Sequence, residues 1–234
     1  MQQAISSSSS SVSTKIPRIK VCGMTDLSQM HQLGEMGVQF AGMVFYHKSP
    51  RFVMRHLQGI EVKKAKLKVF KVGVFVNASH DEVLNHVENY GLDMVQLHGD
   101  ETPFYCSKLS DYISVIKAFR IIENDHIEWK IKDYYEGTDM FLFDTEGVGS
   151  IPSDRKFNSA KLKGMNMAKP FLLSGGIESS EATSIKSFMK DSVAKDLFAI
   201  DINSKFELAP GLKDMEKVKK FVESVRDDAD KGKK

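Results

Sequence analysis

Cys22 closes the short run Ile19-Lys20-Val21 and stands directly before Gly23 in "IKVCGMT". A lone thiol there has two readings. It is a small buried hydrophobe, or it is a thiol whose pKa Lys20 lowers, able to act as a base or nucleophile. Asp144 ends the apolar run "MFLFD". It either caps the following turn, or its apolar neighbours raise its pKa into the range of a general acid near neutrality. His98 in "QLHGDE" and Asp201 in "AIDIN" each fit a hydrogen-bonding structural residue as well as a substrate contact. Cys106, in "PFYCSKL", has no comparable neighbour and is expected to be structural.

These residues need strands that end together. Eight short β-branched or aromatic runs provide candidates: "RIKVCGM", "FAGMVFY", "VFKVGVFVN", "DMVQLHG", "SVIKAFR", "DMFLFDTE", "PFLLSGG" and "DLFAIDIN". Their starts fall roughly 21 to 30 residues apart, room for a strand, a crossover helix and two loops. Helical signatures lie between them. "DLSQMHQLGEMG" opens on Asp26 as a cap and closes on Gly37, "HDEVLNHVENYG" closes on Gly91, and "KDMEKVKKFVESV" sets Met215, Val218, Val222 and Val225 on one stripe. Strand then helix, eight times, predicts an α/β protein with a (β/α)8 TIM-barrel fold in a single domain. A doubly wound sheet is the alternative; the count of eight and the lack of G-x-G-x-x-G after the first run favour the barrel.

Active sites of such barrels lie at the C-terminal ends of the strands. The polar groups expected there are Lys20, Cys22, Arg51, Gln96, His98, Lys117, Arg120, Asp144 and Asp201, with Ser174, Gly175 and Gly176 after strand seven. The loops "LLSGG" and "IDINSKFELAPG", after strands seven and eight, are either plain tight turns or a phosphate cradle of backbone N–H groups. The strand-end histidine and carboxylates do not assemble a metal-ligand set, so metal-free chemistry is expected.

Composition narrows the partners. The chain has 234 residues, 41% hydrophobic and 27% charged, with a formal net charge of +2 from interspersed signs. No basic block is present to track a phosphate backbone, so nucleic acid is not expected. Two widely spaced cysteines support neither a disulfide framework nor a zinc knuckle, and a reducing cytoplasm is expected. No apolar stretch approaches the ~20 residues of a membrane span. Residues 1–15, rich in serine, are expected to form a disordered tail, residues 16–226 the barrel, and residues 227–234 a charged tail. Barrel helices serve solvent or a partner alike, leaving monomer and homodimer open.

The segments "IKVCGMT", "GMVFYHKSPRFV", "VGVFVN", "VQLHGDE", "FDT", "LLSGGI" and "PGLKD", in this order, resemble the phosphoribosylanthranilate isomerase family of tryptophan biosynthesis, from about Ile16 to Val225. The resemblance implies a (β/α)8 barrel and a cofactor-free Amadori rearrangement of the sugar phosphate N-(5-phosphoribosyl)anthranilate. It implies Cys22 as general base and Asp144 as general acid. It further implies that Arg51 holds the anthranilate carboxylate, that Lys20, His98 and Asp201 line the substrate, and that Gly175, Gly176, Asn203 and Ser204 hold the phosphate.

The chain departs from the family pattern twice. After strand six a glycine-rich loop is replaced by "SIPSDRKFNS", which keeps Phe157 and Asn158. After strand eight Lys205 replaces a glycine, at a position expected to need positive φ and near the expected phosphate. Other phosphate-binding barrels are rivals, but the metal site of an epimerase and the catalytic lysine and glutamates of an indole-glycerol-phosphate synthase have no counterpart here. A non-catalytic phosphate-binding barrel is the remaining alternative; the presence of both Cys22 and Asp144 argues against it.

Overall fold

A computed structural model describes residues 16–121, 126–144, 162 and 167–227. Eight parallel strands, β1 (Arg18–Val21), β2 (Phe40–Val44), β3 (Phe70–Phe75), β4 (Met94–Leu97), β5 (Ser114–Arg120), β6 (Met140–Asp144), β7 (Phe171–Ser174) and β8 (Leu197–Ile202), follow one another around a closed barrel. Each coincides with one of the eight runs read from the sequence. The last strand returns to the first, with Lys20 opposite Asp201 and Val21 opposite Ile202. Strands buried on both faces read as nearly continuous apolar runs, which is why they stand out in the sequence.

The inward faces contribute Phe40, Val72, Ile116, Ala118, Met140, Leu142, Leu172 and Ala199 to one buried cluster that fills the barrel interior. A larger cluster joins the outward strand faces to the helices. These are α1 (Leu27–Glu35), α2 (Gly59–Lys64), α3 (His80–Tyr90), α4 (Pro103–Ser110), α5 (Ile127–Ile131), α6 (Ala182–Phe188) and α7 (Met215–Arg226).

Local signals fix several helix ends as the sequence predicts. The Asp26 side chain accepts from the Gln29 N–H at the start of α1, and Gly91 ends α3 in the left-handed conformation at φ 60°. Along α7, Val218, Phe221, Val222 and Val225 form the buried stripe. The expected tails at residues 1–15 and 228–234, and the loop carrying Phe157 and Asn158, lie outside the described residues. Among the described residues no helix is long and apolar enough to cross a membrane.

After β8 the chain makes a single 3-10 turn over Ser204–Phe206 and then a small hairpin, β9 (Glu207–Ala209) with β10 (Leu212–Lys213). That hairpin, which the sequence pattern did not reveal, brings two charged side chains to the barrel mouth.

Candidate active site

Cys22 follows β1 at the rim, where its N–H donates to the Ile202 carbonyl at 2.9 Å and the Met24 N–H donates to the Gly42 carbonyl at 2.8 Å. Beneath it Lys20, 0% exposed, donates from Nζ to both carboxylate oxygens of Asp201 at 3.0 Å and 3.0 Å. Burial alone would lower the Lys20 pKa; Asp201 and the Cys22 sulfur reverse that and hold its ammonium above the ordinary lysine range.

Two expectations are corrected here. Lys20 does not face the mouth: two residues before Cys22 on the same side of the strand, it is 0% exposed and its ammonium is enclosed against Asp201. The Cys22 thiol is not lowered either. Burial pushes it up and Asp201 adds to that, while Lys20 and Lys213 oppose without overcoming them.

Asp144 ends β6 opposite Arg120 of β5 and Ser174 of β7. Its Oδ2 lies 3.2 Å from Nε2 of His98, and His98 Nδ1 lies 3.1 Å from the Gln96 side-chain nitrogen. The loop carrying His98 is clamped from below. Lys117, buried on β5, donates to the carbonyls of Leu97 at 3.2 Å and Gly99 at 2.8 Å and to Glu101 Oε2 at 3.0 Å. Glu101 in turn accepts from the backbone N–H groups of Asn77 at 2.8 Å and Gly99 at 3.0 Å. A buried ion pair whose remaining lone pairs are satisfied in this way holds a loop in one geometry.

Arg51 reaches the mouth from the loop after β2 and forks onto Glu207 of the hairpin. Its Nε donates at 2.8 Å and its Nη2 at 2.5 Å. Lys213 Nζ donates to the same carboxylate at 2.7 Å and to Asn203 Oδ1 at 2.8 Å. Burial would raise the Glu207 pKa, but Arg51 and Lys213 hold the carboxyl below the ordinary range. Glu207, Lys213 and Glu101, which hold Arg51, Asn203 and Lys117 in place, are residues that sequence reasoning missed. The segment "PGLKD" marked the neighbourhood of Lys213 without indicating its partner.

Gly175 and Gly176 follow β7 with φ 94° and 64°, conformations glycine adopts freely. Lys205 differs from expectation. It sits inside the 3-10 turn, and the non-glycine residues with positive φ among those described are Asn77 and Ala168. Its ammonium pairs with Glu178 at 3.0 Å.

One cavity of about 1000 Å³ gathers these groups. Cys22, Arg51, His98, Asp144, Gly175, Gly176, Asp201, Asn203 and Ser204 all line it, so of the ten candidate catalytic, substrate and phosphate residues named from the sequence, all but Lys20 line one cavity. Such a volume suits a small organic ligand held largely out of water. Cys106 is buried on α4 with its thiol pushed up to about 12 by burial, as a structural cysteine would be. The cavity therefore combines a thiol, a carboxyl and a pair of glycines in left-handed turns.

Comparison with known proteins gives a consistent result. Residues 19–224 match the family model for N-(5'phosphoribosyl)anthranilate (PRA) isomerase. The chain is 38% identical over 209 residues to the N-(5'-phosphoribosyl)anthranilate isomerase of Parabacteroides distasonis, covering 88% of this chain and 92% of that protein. It is similar to the crystal structure of phosphoribosyl anthranilate isomerase from Thermotoga maritima, with a TM-score of 0.78 and 29% identity over 90% of this chain and 99% of the other. It is also similar, at a TM-score of 0.71 and 28% identity over 90% and 99% of the two chains, to such an isomerase in complex with reduced 1-(o-carboxyphenylamino)-1-deoxyribulose 5-phosphate.

Proposed function

The chain belongs to the N-(5'-phosphoribosyl)anthranilate isomerase family, and on that footing we propose that Cys22 and Asp144 are the base and acid of its reaction. The enzyme is an intramolecular aldose–ketose isomerase of tryptophan biosynthesis. It converts N-(5-phosphoribosyl)anthranilate into 1-(2-carboxyphenylamino)-1-deoxyribulose 5-phosphate.

Opening the furanose requires a proton on the ring oxygen as the C1'–O bond breaks. Asp144 supplies it, and the anthranilate nitrogen lone pair forms the C1'=N bond of a protonated Schiff base. The cationic iminium acidifies the C2' proton. Cys22 removes that proton, and the electrons left on C2' form the enolamine, which tautomerises to the ketone.

A buried sulfur suits this task. Its thiolate is poorly solvated and hence strongly basic, and an arriving cation is what stabilises it. Lys20, kept charged by Asp201, holds a fixed positive potential behind the sulfur through both steps.

For the substrate's other groups we assign Arg51 to the anthranilate carboxylate. Glu207 orients its planar fork and competes for it until substrate arrives. Gly175, Gly176, Asn203 and Ser204 are assigned to the phosphate, in the loops where barrels of this kind present backbone amides. His98 and Asp201 line the sugar. The product framework bound to the related isomerase carries the same carboxylate, amine and phosphate.

The observation that carries the assignment is that Cys22 and Asp144 line one cavity together with the arginine and the glycine pair. The intrinsic fluorescence of phosphoribosylanthranilate provides the test, since an enzyme consumes the signal and a binding protein merely perturbs it. Growth of a tryptophan auxotroph lacking this isomerase step on minimal medium, when supplied with the gene, is the matching result in cells. Persistence of the fluorescence at high enzyme concentration would refute turnover.

A further inference from the structure

Gln96 is 1% exposed, yet it projects from β4 into the barrel between Val74 of β3 and Ile116 of β5, its register partners. A hydrocarbon side chain would suit those neighbours and bury no amide. Gln96 instead keeps a buried amide whose Oε1 has no hydrogen-bond partner among the described residues and whose nitrogen lies 3.1 Å from His98 Nδ1. Turning the amide over would pair Oε1 with a protonated Nδ1 and strand the nitrogen. In either orientation one end of this buried group is matched, and it is the end that meets His98. An unmet buried polar atom is costly and persists where its other end has a task.

We propose that Gln96 is a positioning residue for the acid: acting through His98, its amide fixes the imidazole proton on Nε2, facing Asp144. The inference rests on the assignment of Asp144 as general acid. An amide nitrogen carries protons and no available lone pair, so the Nδ1 that accepts from it is bare. The neutral ring then holds its proton on Nε2, which donates to Asp144 Oδ2 at 3.2 Å. With Oδ2 engaged as an acceptor, the transferable proton belongs on Oδ1. When that proton leaves for the ring oxygen of the substrate, the Nε2–H remains in place to stabilise the new carboxylate. The opposite tautomer would aim a lone pair at Oδ2 and oppose ionisation of the acid.

The tautomer is read directly from the side-chain nitrogen resonances of 15N-histidine-labelled full-length protein. His98 is expected as the Nε2–H form in the parent and as a mixture in Gln96→Met. Turnover of Gln96→Met should fall about tenfold in kcat with KM within about twofold. In a His98→Ala background the same substitution should change the remaining activity by less than about twofold, because the route to Asp144 is already gone. If Gln96→Met melts below the assay temperature, Gln96→Glu keeps the shape and reverses the polarity at Nδ1; it is expected to move the ring proton to Nδ1 and lower kcat.

A parent protein with His98 in the Nδ1–H form would overturn the proposal, as would an equal loss from Gln96→Met with and without His98. The assignment of the acid fails by a different result, parental turnover in Asp144→Asn, which leaves the tautomer measurement on the parent protein unaffected.

Discussion

Gly42 of β2 faces the Cys22 sulfur so closely that a Cβ at residue 42 would lie 2.9 Å from Sγ, 3.1 Å from the Cys22 Cα and 3.1 Å from Lys20 Nζ. The second of these is backbone and cannot swing aside. Gly42→Ala must therefore displace the thiol, the ammonium or the strand. The contacts call for shifts of a few tenths of an ångström at the reacting group, where a full 1 Å would cost about 100-fold in rate. We expect kcat to fall by up to about tenfold with substrate affinity nearly kept, which steady-state kinetics and ligand titration separate.

Removing either proton-transfer group should have a larger effect. Cys22→Ser replaces a thiol with a far weaker acid, and Asp144→Asn leaves an amide that cannot give up a proton to the ring oxygen. Each is expected to lower kcat by about 10²- to 10⁴-fold with the far-ultraviolet circular dichroism unchanged. Parental turnover in one of them would remove that residue from its role.

The raised Cys22 pKa sets the sign of the pH dependence. Burial favours the neutral thiol, so the thiolate population grows only at pH above the ordinary thiol range. If the free enzyme's thiolate is the base, kcat/KM rises with pH and levels off at more alkaline pH than a solvent-exposed cysteine would give. Lys20→Met deletes the ammonium that opposes burial and should move the limb further up. The same change leaves Asp201 buried without its partner, at a cost of about 3–5 kcal/mol. Thiolate absorbance in the ultraviolet follows the titration independently of turnover.

Glu207→Gln tests the fork on Arg51. Without the carboxylate the guanidinium loses its orientation, and KM is expected to rise about tenfold with a smaller change in kcat. Stability follows from the same pair. Burial opposes ionisation of Glu207, but Arg51 and Lys213 outweigh it and its folded pKa is depressed. Its contribution is therefore present above the ordinary carboxylate pKa and is lost as pH falls through the depressed value. The melting temperature of the parent should drop more steeply on acidification below the ordinary carboxylate range than that of Glu207→Gln.

The strands were legible because each is a continuous apolar run, and the mouth because strand ends carry the polar residues. Depth was not. Lys20 and Cys22 alternate with Val21 and so point to the same side, but a step of two residues along a strand is about 6.6 Å, the difference between a fully enclosed ammonium and a group at the rim. The thiol pKa was misjudged for the same reason, since the sequence shows a neighbouring lysine and not the enclosure around both. The Arg51–Glu207 fork joins residues 156 positions apart, beyond any local pattern. At Lys205 a residue type is no guide to the backbone angle, because the chain there closes a 3-10 turn.

The Lys20–Asp201 bridge spans 181 residues and crosses the seam where the last strand meets the first. A nascent chain leaving the ribosome thus carries its cysteine long before the aspartate that organises the charge beside it has been synthesised. Premature termination anywhere before β8 yields a polypeptide with an unclosed sheet and an ammonium that has no counterion, however many of the other strands have formed.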